Sequence, residues 1–129
     1  MSTDTTASVS THILDTSLGR PAEGVAITLA ARGGFDAQWV TLGGSATDAD
    51  GRCKDLPALP EGTTHVRLDF ETEAYFSKKQ AEAQQDAPRV RDSGAFFPEV
   101  AITFAVKPGE HYHVPLLLNP FGYSVYRGS

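Results

Sequence analysis

The chain has 129 residues and a net charge of −5, and 40% of its residues are hydrophobic and 21% charged. This length and composition are typical of a folded domain with its own core, so we expect residues 1–129 to form a single domain. The composition excludes three classes of protein. The basic residues form no run that could bind nucleic acid, no apolar stretch approaches the ~20 residues of a membrane span, and one cysteine allows neither an internal disulfide nor a cysteine-built zinc site.

Alternation of apolar and polar residues dominates the chain and predicts strands. In chain order the predicted strands are residues 8–15, 25–31, 38–44, 65–70, 99–108 and 111–119, with residues 123–127 as one more. A period of two over such lengths is typical of a half-buried strand. Seven or eight short strands separated by glycine- and proline-rich turns predict an all-β antiparallel β-sandwich.

One segment departs from this alternation. Residues 72–85 are rich in helix formers and almost free of glycine and proline, so they predict one short helix with Thr72 as its N-cap. We expect the polar stretch 86–94 to be a mobile loop and residues 1–7 to be disordered. The first residues have neither the basic region nor the apolar core of a secretory signal, so a cytoplasmic location is expected.

Three histidines on predicted strands could carry chemistry. His12 shares the outer face of its strand with Ser8 and Ser10 if the apolar residues on either side of it face the core. His111 and His113 point the same way because they lie two residues apart. The three imidazoles could ligate zinc. The simpler interpretation is that they are surface histidines on strands, and spacing alone favours it.

Two further places contain arginine. Arg52 follows the turn at residues 48–51, where an arginine is most often solvated. The C-terminal residues 126–129 read Tyr-Arg-Gly-Ser. A frayed tail is the usual expectation at a chain end, but this one directly follows the apolar strand at residues 111–119, which favours an ordered tail.

Taken together, these segments resemble a known family. The resemblance lies in STHILDTSLGRPAEGVAITL (10–29), DADGR (48–52), FFPEVAITF (96–104) and HYHVPLLLNPFGYSVYRGS (111–129). They are similar to the transthyretin-related proteins that hydrolyse 5-hydroxyisourate. The terminal Tyr-Arg-Gly-Ser distinguishes these hydrolases from the hormone-carrying transthyretins, which share the fold and lack that ending.

The resemblance implies a transthyretin-like sandwich of two antiparallel sheets with one short helix. It implies a homotetramer, a dimer of dimers, with sites in the channel between facing dimers. It also implies hydrolysis of the purine-derived 5-hydroxyisourate to 2-oxo-4-hydroxy-4-carboxy-5-ureidoimidazoline in urate breakdown, without a metal or cofactor. The matching motifs imply catalytic roles for His12, Arg52, His113 and Tyr126, and substrate binding by Ser124, Arg127 and Ser129.

These residue types suit the implied reaction. A histidine can activate water near neutral pH, and a guanidinium can stabilise the oxyanion that forms when water attacks a carbonyl. Either His12 or His113 could be the general base.

An alternative is a transthyretin-like carrier of a small aromatic ligand, although pockets for such ligands are mainly apolar. The chain departs from the family pattern at Asn119, where serine is usual, at Val125, where threonine is usual, and in a longer segment at residues 77–92.

Overall fold

The computed structural model describes residues 6–34, 36–83 and 95–128, and these ranges contain nine strands and one helix. In chain order they are β1 (Ser8–Asp15), β2 (Arg20–Pro21), β3 (Ala26–Arg32), β4 (Val40–Ala46), β5 (Arg52–Cys53), β6 (His65–Phe70), α1 (Thr72–Ala83), β7 (Val100–Ala105), β8 (His111–Asn119) and β9 (Gly122–Val125). The strands form two sheets, which confirms the predicted all-β sandwich with one short helix.

The first sheet carries the candidate site. Its strand order is β2-β1-β8-β9, and β5 pairs with β1 as well; the second sheet has the order β4-β3-β6-β7. Neighbouring strands pair antiparallel except β1 and β8, which run parallel. Ser10 and His113 are therefore opposite each other although 103 positions separate them in the chain.

The core lies between the sheets and follows from the alternation. β6 buries Val66, Leu68 and Phe70, and β8 buries Leu116 and Leu118, each at most 1% exposed. Burial of a side chain of this size contributes roughly 1.5–3 kcal/mol relative to exposure. The same alternation turns every second side chain of β1 and β8 away from the core, where polar groups can remain.

The helix packs against the first sheet through a buried polar contact. The Tyr75 hydroxyl donates to Asp15 Oδ2 over 2.7 Å, and the two residues are 4% and 1% exposed. The helix begins at Thr72, whose hydroxyl donates to the Phe97 carbonyl just before β7. These bonds fix the helix at both ends of its first turn.

All seven predicted strands are present, and three of them have the predicted ends. These three are strands 8–15, 65–70 and 111–119, whereas β3, β4, β7 and β9 differ by one to three residues at each end. The two-residue strands β2 and β5 were not predicted. Predicted helix residues 84–85, the predicted loop 86–94 and residues 1–5 lie outside the described residues; Ala7, within the segment expected to be disordered, is buried. Over the described ranges, no helix is both long and apolar enough to cross a membrane.

Candidate active site

Two histidines meet on the outer face of the first sheet because β1 and β8 run parallel in a fixed register. Ser10 lies opposite His113, and His12 lies opposite Pro115. Alternate residues of a strand point to the same face, so His12 and His113 both point away from the core. Their ring centroids are 6.4 Å apart, and both residues are half-buried. The sheet thus holds two imidazoles side by side.

β5 places Arg52 next to the two histidines. This strand pairs antiparallel with β1, and Arg52 lies opposite His12. The turn before it is tight: Gly51 has a φ of 75°, and a Cβ at this position would collide with the Ile13 carbonyl oxygen. Glycine adopts this left-handed conformation at no steric cost. The turn therefore requires Gly51 in order to place Arg52 beside β1.

Asp48 stabilises the same turn from its other end. Its carboxylate accepts hydrogen bonds from the backbone N–H of Asp50 over 2.9 Å and of Arg52 over 3.0 Å. The bond from Arg52 is the main reason that the pKa of Asp48 is lowered. The backbone of Arg52 is thereby held in place, while its side chain stays exposed.

Serines and histidines alternate in a hydrogen-bonded row along this face. Ser8 Oγ lies 2.7 Å from His111 Nδ1, and Ser10 Oγ lies 2.9 Å from both His111 Nε2 and His113 Nδ1. The row begins at the exposed Ser8 and ends at His113, next to His12. The Ser10 hydroxyl thus bridges the two histidines of β8 through hydrogen bonds.

The electrostatics of His113 favour its neutral form. Burial lowers the pKa of His113, and the positive charges of His12, His111 and Arg52 lower it further. Both causes penalise the imidazolium. His113 is therefore neutral over a wider pH range than a free histidine, as a general base near neutral pH requires.

The C-terminal tail is ordered and pairs with β8. The Gly128 N–H donates to the His113 carbonyl over 2.7 Å, and the Tyr126 N–H donates to the Pro115 carbonyl over 3.4 Å. A Cβ on Gly128 would lie only 2.9 Å from His113 Cδ2. By alternation, Ser124 and Tyr126 share the outer face with His113. The predicted ordered tail is present up to Gly128.

Arg127 points the other way. Its guanidinium lies 4.6 Å from the centroid of the Tyr112 ring, and its Nη2 lies 3.3 Å from Glu110 Oε1. Tyr112 faces the core, so this guanidinium lies on the opposite side of β8 from His113. Within the described part of the chain, the contacts of the Arg127 guanidinium are thus with Glu110 and Tyr112 and not with the histidine face. Ser129, the last predicted site residue, lies outside the described residues.

The zinc interpretation of the histidines finds no geometric support. In the part of the chain that the structure describes, no group of three histidine, cysteine, aspartate or glutamate residues is placed to hold a metal ion. Both ring nitrogens of His111 face serine hydroxyls instead. Hydrogen bonds between its own members therefore account for the arrangement of the row of serines and histidines.

Sequence reasoning placed Ser10 and His111 on outward faces but missed the contact between them. Their spacing within each strand gives the face, whereas the contact depends on the parallel register of β1 and β8. The sequence shows Arg52 as an arginine after a turn, but only the resemblance gave it a role, because its strand has two residues and therefore no periodicity.

Comparison with known proteins gives a consistent picture. The HIUase/Transthyretin family matches residues 9–128. A 5-hydroxyisourate hydrolase of Salmonella typhimurium is 41% identical over 123 residues, which are 94% of this chain and 80% of that protein. The structure of Klebsiella pneumoniae 5-hydroxyisourate hydrolase is similar with a TM-score of 0.70 and 36% identity, covering 94% of this chain and 98% of that one.

The fold is shared with a binding protein as well. The crystal structure of sea bream transthyretin in complex with thyroxine has a TM-score of 0.72 and 27% identity, covering 93% of both chains. The family match spans nearly the whole sequence, and the hydrolases are the more similar in sequence. The chain belongs to the HIUase/Transthyretin family.

Proposed function

We propose that this chain hydrolyses 5-hydroxyisourate in urate breakdown. Water attacks a ring carbonyl and opens the six-membered ring, which yields 2-oxo-4-hydroxy-4-carboxy-5-ureidoimidazoline. The observation that carries the proposal is the convergence of His12, Arg52 and His113 on one face, with the paired tail beside them. The 41% identity to a 5-hydroxyisourate hydrolase over 94% of the chain supports the substrate.

His113 is the proposed general base. It is half-buried, its pKa is lowered, and Ser10 contacts its Nδ1, so its Nε2 can face the substrate. A positioned base of this kind contributes roughly 10²–10⁴ in rate. His12, with its ring centroid 6.4 Å away, is the partner that returns a proton to the leaving nitrogen.

Arg52 is the proposed electrostatic group. Water attack places negative charge on the carbonyl oxygen, and loss of one well-aimed donor to such an oxyanion costs about 2.7–4 kcal/mol. The planar guanidinium can also form two parallel hydrogen bonds to the edge of a purine-like ring. Its exposed side chain leaves these donors free for a substrate that approaches from the outer face.

The tail is proposed to close the site. Tyr126, 57% exposed, acts in catalysis, and Ser124, Arg127 and Ser129 bind substrate. To bind a ring at His113, the Arg127 guanidinium must move away from Glu110 and Tyr112, which it contacts in this structure. The proposed reaction uses no metal or cofactor, takes place in a homotetramer, a dimer of dimers, and is cytoplasmic.

The test is a decay assay. 5-Hydroxyisourate is generated in situ from urate with a urate oxidase, and the loss of its ultraviolet absorbance is followed with and without the protein. Because the compound decays unaided, the measured quantity is the excess rate. We expect a large excess that persists in EDTA and a kcat at least about tenfold lower for His113→Ala.

The assay also separates the alternative. The thyroxine complex of sea bream transthyretin favours a carrier of aromatic ligands on this fold, whereas the polar face formed by His12, Arg52 and His113 does not. A wild-type protein with no excess rate that binds thyroxine would establish the carrier and contradict the hydrolase.

A further inference from the structure

The row Ser8–His111–Ser10–His113 couples the proposed base to a histidine outside the proposed catalytic group. Its three contacts measure 2.7, 2.9 and 2.9 Å. Each contact joins a hydroxyl to a ring nitrogen. The Nδ1 atom of each histidine lies against the serine that precedes that histidine in the row. The row is therefore continuous from the exposed His111 to the half-buried His113.

The number of protons limits this row to two arrangements. A serine hydroxyl has one hydrogen, so Ser10 donates to one of its two imidazole nitrogens and accepts from the other. In one arrangement His113 Nδ1–H donates to Ser10, and Ser10 donates to His111 Nε2. In the other, every bond reverses, and the proton of neutral His113 moves to Nε2. The hydrogen bond at Nδ1 thus decides which nitrogen of His113 is free.

We propose that His111, acting through Ser10, is a positioning residue that holds His113 with its proton on Nδ1 and its Nε2 lone pair open to water. This inference rests on the proposed function, in which His113 is the base. His111 with its single proton on Nδ1 accepts at Nε2 from Ser10, which leaves the Ser10 oxygen to accept from His113 Nδ1–H. A doubly protonated His111 donates at both nitrogens, so Ser10 must then donate to His113 and the tautomer reverses.

The surroundings of His113 agree with this assignment. The charged or titratable groups that affect it are His12 from β1, Arg52 from β5 and His111 from its own strand, and the tail contributes the backbone of Gly128. Tyr126 of the tail shares the outer face with His113 by alternation. Of these three groups, His111 is the one that a hydrogen-bonded link through Ser10 joins to a ring nitrogen of His113 in the described structure. His12 and Arg52 affect the charge on the ring, and His111 affects the position of its proton.

The test measures the tautomer directly. Nitrogen-15 NMR of labelled imidazoles reports which nitrogen is protonated, without substrate. Above the titration range of His113, we expect Nδ1–H in the wild type and a shift of His113 towards Nε2–H in Ser10→Ala and in His111→Ala. Ser10→Thr keeps the hydroxyl and suits a strand, so it is the matched control and should retain the wild-type tautomer.

Activity gives the second readout. We expect kcat to fall at least about tenfold in Ser10→Ala and His111→Ala, within the range of base catalysis, while KM changes by less than about threefold and Ser10→Thr stays near wild type. His111 is exposed, so its replacement tests the proposal even if Ser10→Ala does not fold.

The outcomes separate this proposal from the proposed function. An unchanged His113 tautomer in both variants, each folded by circular dichroism, overturns the positioning role whatever the activity. A shifted tautomer supports it. A wild-type protein without an excess rate of 5-hydroxyisourate decay would overturn the hydrolase alone, since the NMR measurement does not depend on turnover.

Discussion

The imidazole of His113 is half-buried and has two histidines and an arginine as neighbours, so its protonation, and with it the activity, should depend on pH in a defined direction. The pKa of His113 is lowered by burial first and by His12, His111 and Arg52 next. Activity that needs neutral His113 should persist below the ordinary histidine pKa of about 6.5. We expect the acid limb of kcat/KM to have its midpoint below that value, measured from pH 4.5 to 8. A midpoint at or above it would contradict His113 as the base.

The same shift affects stability. Because the folded-state pKa of His113 lies below its unfolded value, the unfolded chain binds more protons between the two. The free energy of unfolding therefore decreases as the pH falls from about 6.5 through the folded pKa. The part of this loss due to His113 should be absent in His113→Asn, as urea unfolding at several pH values would show.

Gly128 is the residue that lets the tail approach the base closely. An added Cβ would lie 2.9 Å from His113 Cδ2 and 3.2 Å from the His113 carbonyl oxygen. Gly128→Ala should therefore push the tail off β8 and lower kcat/KM at least about tenfold. Its melting temperature should change little, because only the last residues of the chain lose contacts.

Gly122→Ala is the matched control for this prediction. Gly122 lies at the start of β9, and its added Cβ would have Asn119 Oδ1, 4.0 Å away, as its nearest neighbour. It should keep near wild-type activity. Equal losses in the two variants would mean that the close approach at His113 does not matter.

At the level of whole elements, the predictable part of the fold is the part with a period. β1 and β6 alternate between buried and less buried residues along their whole length, and β8 does so except at the buried run 114–116, so alternation predicts their ends and most of their faces. β2 and β5 have two residues each and form only because β1 offers them an edge. Such strands have no pattern of their own, and their existence depends on tertiary pairing.

The candidate site likewise has a part that alternation predicts and a part that depends on tertiary pairing. Period two places His12 and His113 on outward faces, but their proximity requires the parallel pairing of β1 with β8. Alternation could have indicated that Arg127 points away from Tyr126, since neighbours on a strand face opposite sides. The resemblance grouped the two together, and the geometry of the single chain separates them.

A buried hydrogen bond between Tyr75 and Asp15 is one of the contacts that hold the helix in position. Tyr75→Phe removes the hydroxyl that donates to Asp15 Oδ2, and Asp15 is only 1% exposed. A buried acceptor that loses its donor costs roughly 1–3 kcal/mol. We expect the free energy of unfolding to fall by that amount in urea, with kcat unchanged. Tyr123→Phe, at a position that is 40% exposed, should change stability by less than about 0.5 kcal/mol.

At the scale of the whole molecule, three exposed aromatic residues form a continuous row on the surface. Phe96 is 71% exposed and packs edge-on against Phe97, which in turn packs against Tyr123 of β9. Over the described ranges, β9 and β7 are the edge strands of their sheets, and an edge strand presents unpaired backbone groups on its outer side. Contiguous exposed apolar groups beside open strand edges are typical of protein–protein interfaces.

This surface allows a test of the proposed tetramer. The mass in solution should be four times the 13.8 kDa of one chain by sedimentation or light scattering. Phe96→Asp places a charge in the aromatic row and should lower the mass and, with it, the excess hydrolysis rate. Val40→Asp, on β4 at the far edge of the second sheet and 58% exposed, should change neither. A fully active monomer would show that the site is complete within one chain and would contradict the proposed tetramer as the active form.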